Sequence, residues 1–510
     1  MTGRIVHGRE QTGDVKLEVD VVVCGSGAGG SMAARELARR GLEVLLLEEG
    51  GDHFAMSFTQ REDEMLPRLF QQIGGQRTDD LAIPVLSGRG LGGSTVHNTN
   101  LIKRAPAPIL AQWASELGVE SAKAATLDPF YAEVERDLGV RPIPADKVNT
   151  ANAVFRRGVE QLGWRGAIMS HNRDERCVGS GFCELGCFFD AKLNARRVLV
   201  PEAVAAGAVV YTDARVERIS VERGRAVGAT ATLSAADGTE RGRLTARSRA
   251  VCLAGSAIGS AALALRSELD DPHAQLGTGL RIHPASLVAG AFDERIDAWR
   301  GIPQSFECTE QFDPTPGSSK RVWLVPSFAH PAGTAAIMPG FGPALVRNMR
   351  SYPRMVVVAA LVHDVTNGRV YLDGDRTRIA YQPDSSDRAQ LALGARAAAR
   401  ILLAAGAREV TVPALPPIVV RTERDIARID ASRYLPHDGR VMSVHPMGTL
   451  RMGRDPTRSV VDSRGAHHQV SGLWVVDGSL FPTSIGGPPQ LSIYAFAMQV
   501  ARTLASELRS

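Results

Sequence analysis

The 510-residue chain has no uninterrupted apolar run of the roughly eighteen residues that a membrane-crossing helix needs. Its first twenty residues are polar and lack the apolar core of a secretion signal, so a cytoplasmic enzyme is the expectation. Six cysteines in so long a chain exclude a disulfide scaffold. A large excess of one charge sign is also missing. The formal net charge is +4 and the arginines are spread along the chain, which argues against a nucleic-acid partner. There are no internal repeats and no low-complexity tract beyond helices rich in Ala and Arg. What remains is a chain with 44% hydrophobic residues and 51 glycines, long enough for two domains of a loop-rich α/β protein.

The clearest local signal lies at residues 19–51, VDVVVCGSGAGGSMAARELARRGLEVLLLEEGG. A β-branched run to Cys24 suits a buried parallel strand. Gly25, Gly27 and Gly30 follow with G-x-G-x-x-G spacing, which allows a tight turn, close approach to a pyrophosphate and close helix–strand packing. A helix from about Ala28 to Arg40 then directs roughly half a positive charge at the phosphates. A second strand, from Glu43 to Leu47, ends in Glu48, placed to accept ribose hydroxyls and to repel a 2′-phosphate. These features together predict a dinucleotide site.

A second glycine-rich loop, SGRGLGGSTVHNTN at residues 87–100, has four glycines in six positions, so its backbone can press against a flat or charged ligand. Residues 127–140 read as a helix, 206–231 as hairpin strands, and 248–267 as strand, glycine turn and helix. Between about 291 and 441 prolines are frequent, and strand-like runs such as residues 355–364 mix with a long alanine-rich helix, residues 387–405. The last seventy residues carry SVHPMGTLRMG (443–453), GLWVVDGSLFP (472–482) and GGPPQLSIYAFAMQVARTL (486–504). These read as a loop with a lone histidine, a strand ending in Asp-Gly, and a proline-started helix.

Assembled, these segments resemble the glucose–methanol–choline (GMC) family of FAD oxidoreductases over nearly the whole chain. The resemblance rests on Gly25–Gly30 with Glu48, on GRGLGGSTVHN (88–98), AGSAIGSAALAL (254–265) and LGTGLRIHP (276–284), and on the three C-terminal segments. It implies an α/β fold, with a doubly wound FAD-binding domain discontinuous in sequence (1–105, 195–290 and 440–510). A substrate-binding domain on an antiparallel sheet is implied for 106–194 and 291–439. It also implies oxidation of an alcohol by hydride transfer to flavin N5, with oxygen or another electron acceptor reoxidising the flavin. His445 matches the family's catalytic histidine, the base for the hydroxyl proton. Gly92, Gly93, Ser94, His97 and Asn98 match the second flavin-binding loop. Asp477 and Gly478 match the Asp-Gly pair at the ribityl–phosphate region, and Pro489 the first turn of a helix whose N-terminus faces the pyrimidine. Residues 329–413 are similar to bacterial long-chain or bulky alcohol oxidases and dehydrogenases, although a sugar or amino-sugar hydroxyl is chemically reasonable too.

Two departures stand out. The family has Asn or His just before the helix-opening proline, as partner of the catalytic histidine, and this chain has Pro488. Thr99, Asn98 and Gln490 are left as substitutes, and a redox-neutral or light-driven lyase or decarboxylase becomes the alternative activity. His97 stands where some members link flavin covalently, so it is either such a link or a histidine packed near the dimethylbenzene ring. Finally, Cys177, Cys183 and Cys187 have a spacing similar to cluster-bearing FAD sugar dehydrogenases. A [3Fe-4S] cluster, a zinc site and inert buried thiols are all open for them. His283 reads as a structural turn residue.

Overall fold

The computed structural model describes residues 2–510 and holds two large sheets. The first has a parallel core in the order Arg4–His7, Val209–Thr212, Val44–Leu47, Val15–Cys24 and Glu240–Leu253, with Leu473–Val475 also parallel to Glu240–Leu253. Val21, Val22 and Val23 have no exposed surface, because parallel strands are covered on both faces. Neighbouring strands come from distant parts of the chain, the doubly wound arrangement expected. An antiparallel hairpin, Ala214–Glu222 and Arg225–Ser234, extends one edge. Within residues 206–231 only these strands form a hairpin, since Val209–Thr212 is a parallel core strand, short and wholly buried.

Helix Ala28–Arg39 follows the first turn and packs beside the final helix, Gln490–Arg509. The fingerprint strand starts four residues before the expected position, at Val15. Pro489, expected in the first turn of the final helix, is its N-cap, and the helix starts one residue later at Gln490. The long helix is Ser385–Ala404, its first turn fixed by Asp384, whose side chain accepts from the Asp387 N–H.

The second sheet is antiparallel, in the order Ile418–Val420, Glu409–Val412, Ala285–Ala291, Met355–Val362, Val322–Ser327, Phe306–Cys308 and Gly166–Ile168. Val441–Met442 also pairs with Ala285–Ala291. Strands 285–291 and 441–442 therefore belong to this sheet, although the sequence divisions at 290 and 440 put most of them with the nucleotide-binding part. Side chains alternate between its faces. Val322, Leu324, Val356, Val358, Ala360 and Val362 pack under helix Ser385–Ala404. Trp323, Val325, Ala359, Leu361, Ala285 and Leu287 form a second apolar surface with Leu101 and Met169. Among the described residues no helix is long and apolar enough to cross a membrane.

Candidate active site

The glycine turn begins at Gly25, whose φ of +109° few side chains tolerate. Close packing falls on two glycines. A Cβ on Gly30 would lie 1.9 Å from the Gly25 carbonyl oxygen, and one on Gly29 would lie 1.7 Å from that of Val476. Gly29, which the spacing rule does not single out, thus joins the first helix to the strand end that carries Asp477. Around Gly27, by contrast, no protein atom comes within 4 Å of a Cβ position.

Glu48 ties the turn to the second glycine loop. One carboxylate oxygen accepts from the Ser26 N–H (3.1 Å) and hydroxyl (2.6 Å), the other from the N–H groups of Gly50 and Gly90 (3.0 Å each). Burial raises its pKa, and the bonds from Ser26 oppose the shift. The Gly92 N–H donates to Ser26 Oγ (2.9 Å), Ser94 Oγ accepts from the Gly88 N–H (2.8 Å), and Gly93 lies against Gly27.

From the other side, Asp477 accepts from the Ser260 hydroxyl (2.6 Å) and the Ser479 N–H (2.9 Å). The histidine loop runs alongside. The N–H groups of Gly448, Leu450 and Met452 donate to the carbonyls of Gly478, Ser479 and Leu480. Separate sequence motifs are thereby locked into one site.

His97 is buried, its ring 3.9 Å from that of Phe70, and its Nε2 has no hydrogen-bond partner. Desolvation pushes its pKa down to about 3, so the imidazole is neutral. Ser484 Oγ is also buried without a partner. Buried polar atoms normally have partners, so a polar ligand suits this set. An open glycine cradle, an acidic strand end, a helix N-terminus and these atoms together fit FAD.

None of the three candidates for the missing partner of His445 meets it. Asn98 donates to Gln490, and Thr99 to Gln304. The residue that does is His283, whose Nδ1 is 3.2 Å from Nδ1 of His445. The second sheet explains the meeting. Ala285 pairs with Met442 and, farther along, Arg281 with Met447, so an antiparallel register carries residue 283 opposite residue 445. His283 is held at a positive φ of 47°. Asp364 accepts from the backbone N–H groups of Ile282 (3.0 Å) and His283 (3.2 Å) and from the Tyr381 hydroxyl (2.8 Å). Desolvation lowers the pKa of both histidines, to about 3 for His283. Sequence reasoning missed this pairing because residues 162 positions apart meet only through strand register; the buried-turn motif RIHP was its one trace.

Cys177, Cys183 and Cys187 are free thiols, each partly buried. The three cysteines line one cavity together with His171, Arg173 and Lys192. Among the described residues no group of three or more His, Cys, Asp or Glu side chains is arranged to hold a metal ion. Burial pushes the Cys183 thiol up to about 12. The loop instead supports the flavin-loop candidates. Buried Lys192 donates to the carbonyls of Val96 (3.0 Å), Asn98 (2.5 Å) and Cys183 (2.8 Å).

The family model for GMC oxidoreductases matches residues 19–285 and 364–497 in two parts. An uncharacterised GMC-type oxidoreductase of Mycobacterium tuberculosis is 34% identical, covering 94% of this chain and 75% of that protein. A long-chain-alcohol oxidase of Arabidopsis thaliana is 27% identical, covering 100% of this chain and 70% of its own length. The 6'''-hydroxyparomomycin C oxidase of Streptomyces lividus is 28% identical over 96% of this chain and 92% of its own. Among solved structures, pyridoxine 4-oxidase superposes with a TM-score of 0.71 at 19% identity, covering 95% of this chain and 98% of that one.

Proposed function

The chain belongs to the GMC oxidoreductase family, and from that premise we propose that it is an FAD-dependent alcohol oxidase or dehydrogenase acting on a bulky or long-chain apolar alcohol. The observation that carries this reading is a histidine pair, His445 with His283, at the end of strands that bury an apolar cluster on one face. Gly25–Gly30, Glu48, Gly92–Ser94, Asp477 and Gly478 are the residues to hold the cofactor, with the N-terminus of helix Gln490–Arg509 directed at it. When bound, the flavin supplies the two-electron acceptor for the carbinol hydride. The chain's own work is positioning and proton handling. His445 meets the substrate hydroxyl and takes its proton, a role worth roughly two to four orders of magnitude in rate. Trp323, Val325, Leu361 and Leu287 receive the apolar part of the substrate.

A long-chain alcohol suits this lining better than a sugar, whose hydroxyls need polar partners. Glu307, beside Trp323, is already engaged by Lys103 (2.6 and 2.7 Å) and the Trp323 indole N–H (2.5 Å). Pro488 motivated a lyase or decarboxylase reading, but His283 supplies His445 with a polar partner and removes much of that motive. His97, neutral and with a free Nε2, is the candidate for a covalent link to the flavin 8α-carbon. The discriminating experiment is an anaerobic screen of alcohols followed by flavin absorption. Bleaching by long-chain alcohols supports the proposal. Product formation without bleaching supports the lyase reading.

A further inference from the structure

Hydrogen-bond bookkeeping around His283 leaves one arrangement of protons. The Gly486 backbone N–H donates to His283 Nε2 at 3.1 Å. A backbone amide can only donate, so Nε2 carries no hydrogen. A neutral imidazole then has its proton on Nδ1, and that proton points at His445 Nδ1, 3.2 Å away. His445 must accept there, so its own proton is on Nε2. The same logic excludes an imidazolium at His445 while both bonds persist. A second N–H at His445 Nδ1 would face the N–H of His283. Both rings are buried enough to be neutral, which agrees with this assignment.

From this geometry we propose that His283 is a positioning residue that sets the tautomer of His445, holding the His445 proton on Nε2 until the Gly486 N–H releases His283. The proposal rests on the reading of His445 as the group that handles the substrate proton, and it adds a condition. Among the described residues none bonds His445 Nε2, which leaves this nitrogen as the one available to a substrate. In the locked state it greets a substrate oxygen as a donor. To take a proton at Nε2, His445 must carry its hydrogen on Nδ1 and give it to His283 Nδ1, and His283 must hold its own on Nε2. Both arrangements contain the same two protons and the same charge. They differ in one bond: the second puts the Gly486 N–H against another N–H. Such a buried clash disfavours the base form by roughly tenfold or more in population.

The turn that holds the lock is constrained. Gly486 has a φ of +74°, and a Cβ there would lie 2.6 Å from the Phe312 ring. It is followed by Gly487 and two prolines that open the final helix. Gly486 thus lends a backbone donor from a turn with little freedom to move. A wrong tautomer is costly elsewhere in histidine catalysis, by about four orders of magnitude when a serine-protease aspartate becomes asparagine.

The test is nitrogen-15 NMR of ring-labelled histidines in the FAD-loaded protein, with signals assigned through His283→Gln and His445→Gln. The expected result is Nδ1–H for His283 and Nε2–H for His445. Finding Nε2–H on His283, or Nδ1–H on His445, would overturn the lock. A second readout is His283→Gln, whose amide either accepts from or donates to His445. His445 is expected to populate both tautomers in that variant, with a changed pH profile of flavin reduction. An unchanged His445 tautomer there also overturns the proposal. Because NMR reads the tautomers without substrate, a failed lock and a failed alcohol-oxidase reading are told apart.

Discussion

Gly29→Ala isolates how the two ends of the chain build one cofactor site. The new methyl would lie 1.7 Å from the Val476 carbonyl oxygen, whereas carbon–oxygen contact needs about 3.3 Å or more. The helix start must therefore retreat from the strand end by well over 1 Å, and backbone on both sides leaves no side chain to yield. Overpacking of this kind costs about 1–3 kcal/mol, only partly offset by the ~1 kcal/mol by which alanine is the better helix former. The larger effect falls on ligand binding, because the helix N-terminus and Asp477 move apart. Gly259→Ala is the control. It also sits in a helix, Ser256–Arg266, but nothing lies within 4 Å of its Cβ position, so it is expected to be neutral or stabilising by a few tenths to 1 kcal/mol. FAD dissociation followed by fluorescence, with thermal unfolding in parallel, checks both. Tight FAD retention and an unchanged Tm in Gly29→Ala would refute the close-approach argument.

Three further outcomes are expected. Acid precipitation of the holoenzyme should leave flavin colour in the pellet and His97→Ala should leave none; a colourless wild-type pellet rejects the covalent link. Iron and sulfide analysis should find no stoichiometric cluster, and replacing Cys177, Cys183 and Cys187 by Ser should leave flavin reduction by substrate intact. His171 is buried, its Nε2 2.8 Å from the Gln304 carbonyl oxygen, with a pKa lowered to about 3. The unfolded chain binds a proton there below about pH 6.5 and the native state does not. The stability this neutral group contributes is thus full above 6.5 and is lost as pH falls toward 3, by up to ~1.4 kcal/mol per pH unit. His171→Gln should flatten the acid limb of denaturant unfolding by about one proton, and an unaltered slope contradicts the assignment.

How much of this was legible in the sequence depends on the range of the interactions. The fingerprint strand, turn and helix were readable because Gly25, Gly27, Gly30 and Glu48 encode a local unit at fixed spacing. The long helix was readable from its local alanine pattern, but its start, two residues earlier at Ser385, was not read, because the capping Asp384 was not recognised. The role of Gly29 was hidden, since its partner Val476 is far along the chain. Pairing of His283 with His445 was hidden for the same reason. The strand 285–291 was placed with its sequence neighbours rather than in the second sheet, because an apolar run does not say which sheet will bury it. Cysteine spacing left several readings open because a C-x5-C-x3-C pattern does not report how the three side chains will be arranged in space.

The central claim is that His445 takes part in oxidising an alcohol hydroxyl beside the flavin. The most direct measurement is the anaerobic stopped-flow rate of flavin reduction by a long-chain alcohol, in the wild-type protein and in His445→Ala with FAD content matched. The account predicts a rate lower by roughly two to four orders of magnitude in the variant, with FAD still bound. Equal rates in the two proteins would contradict it.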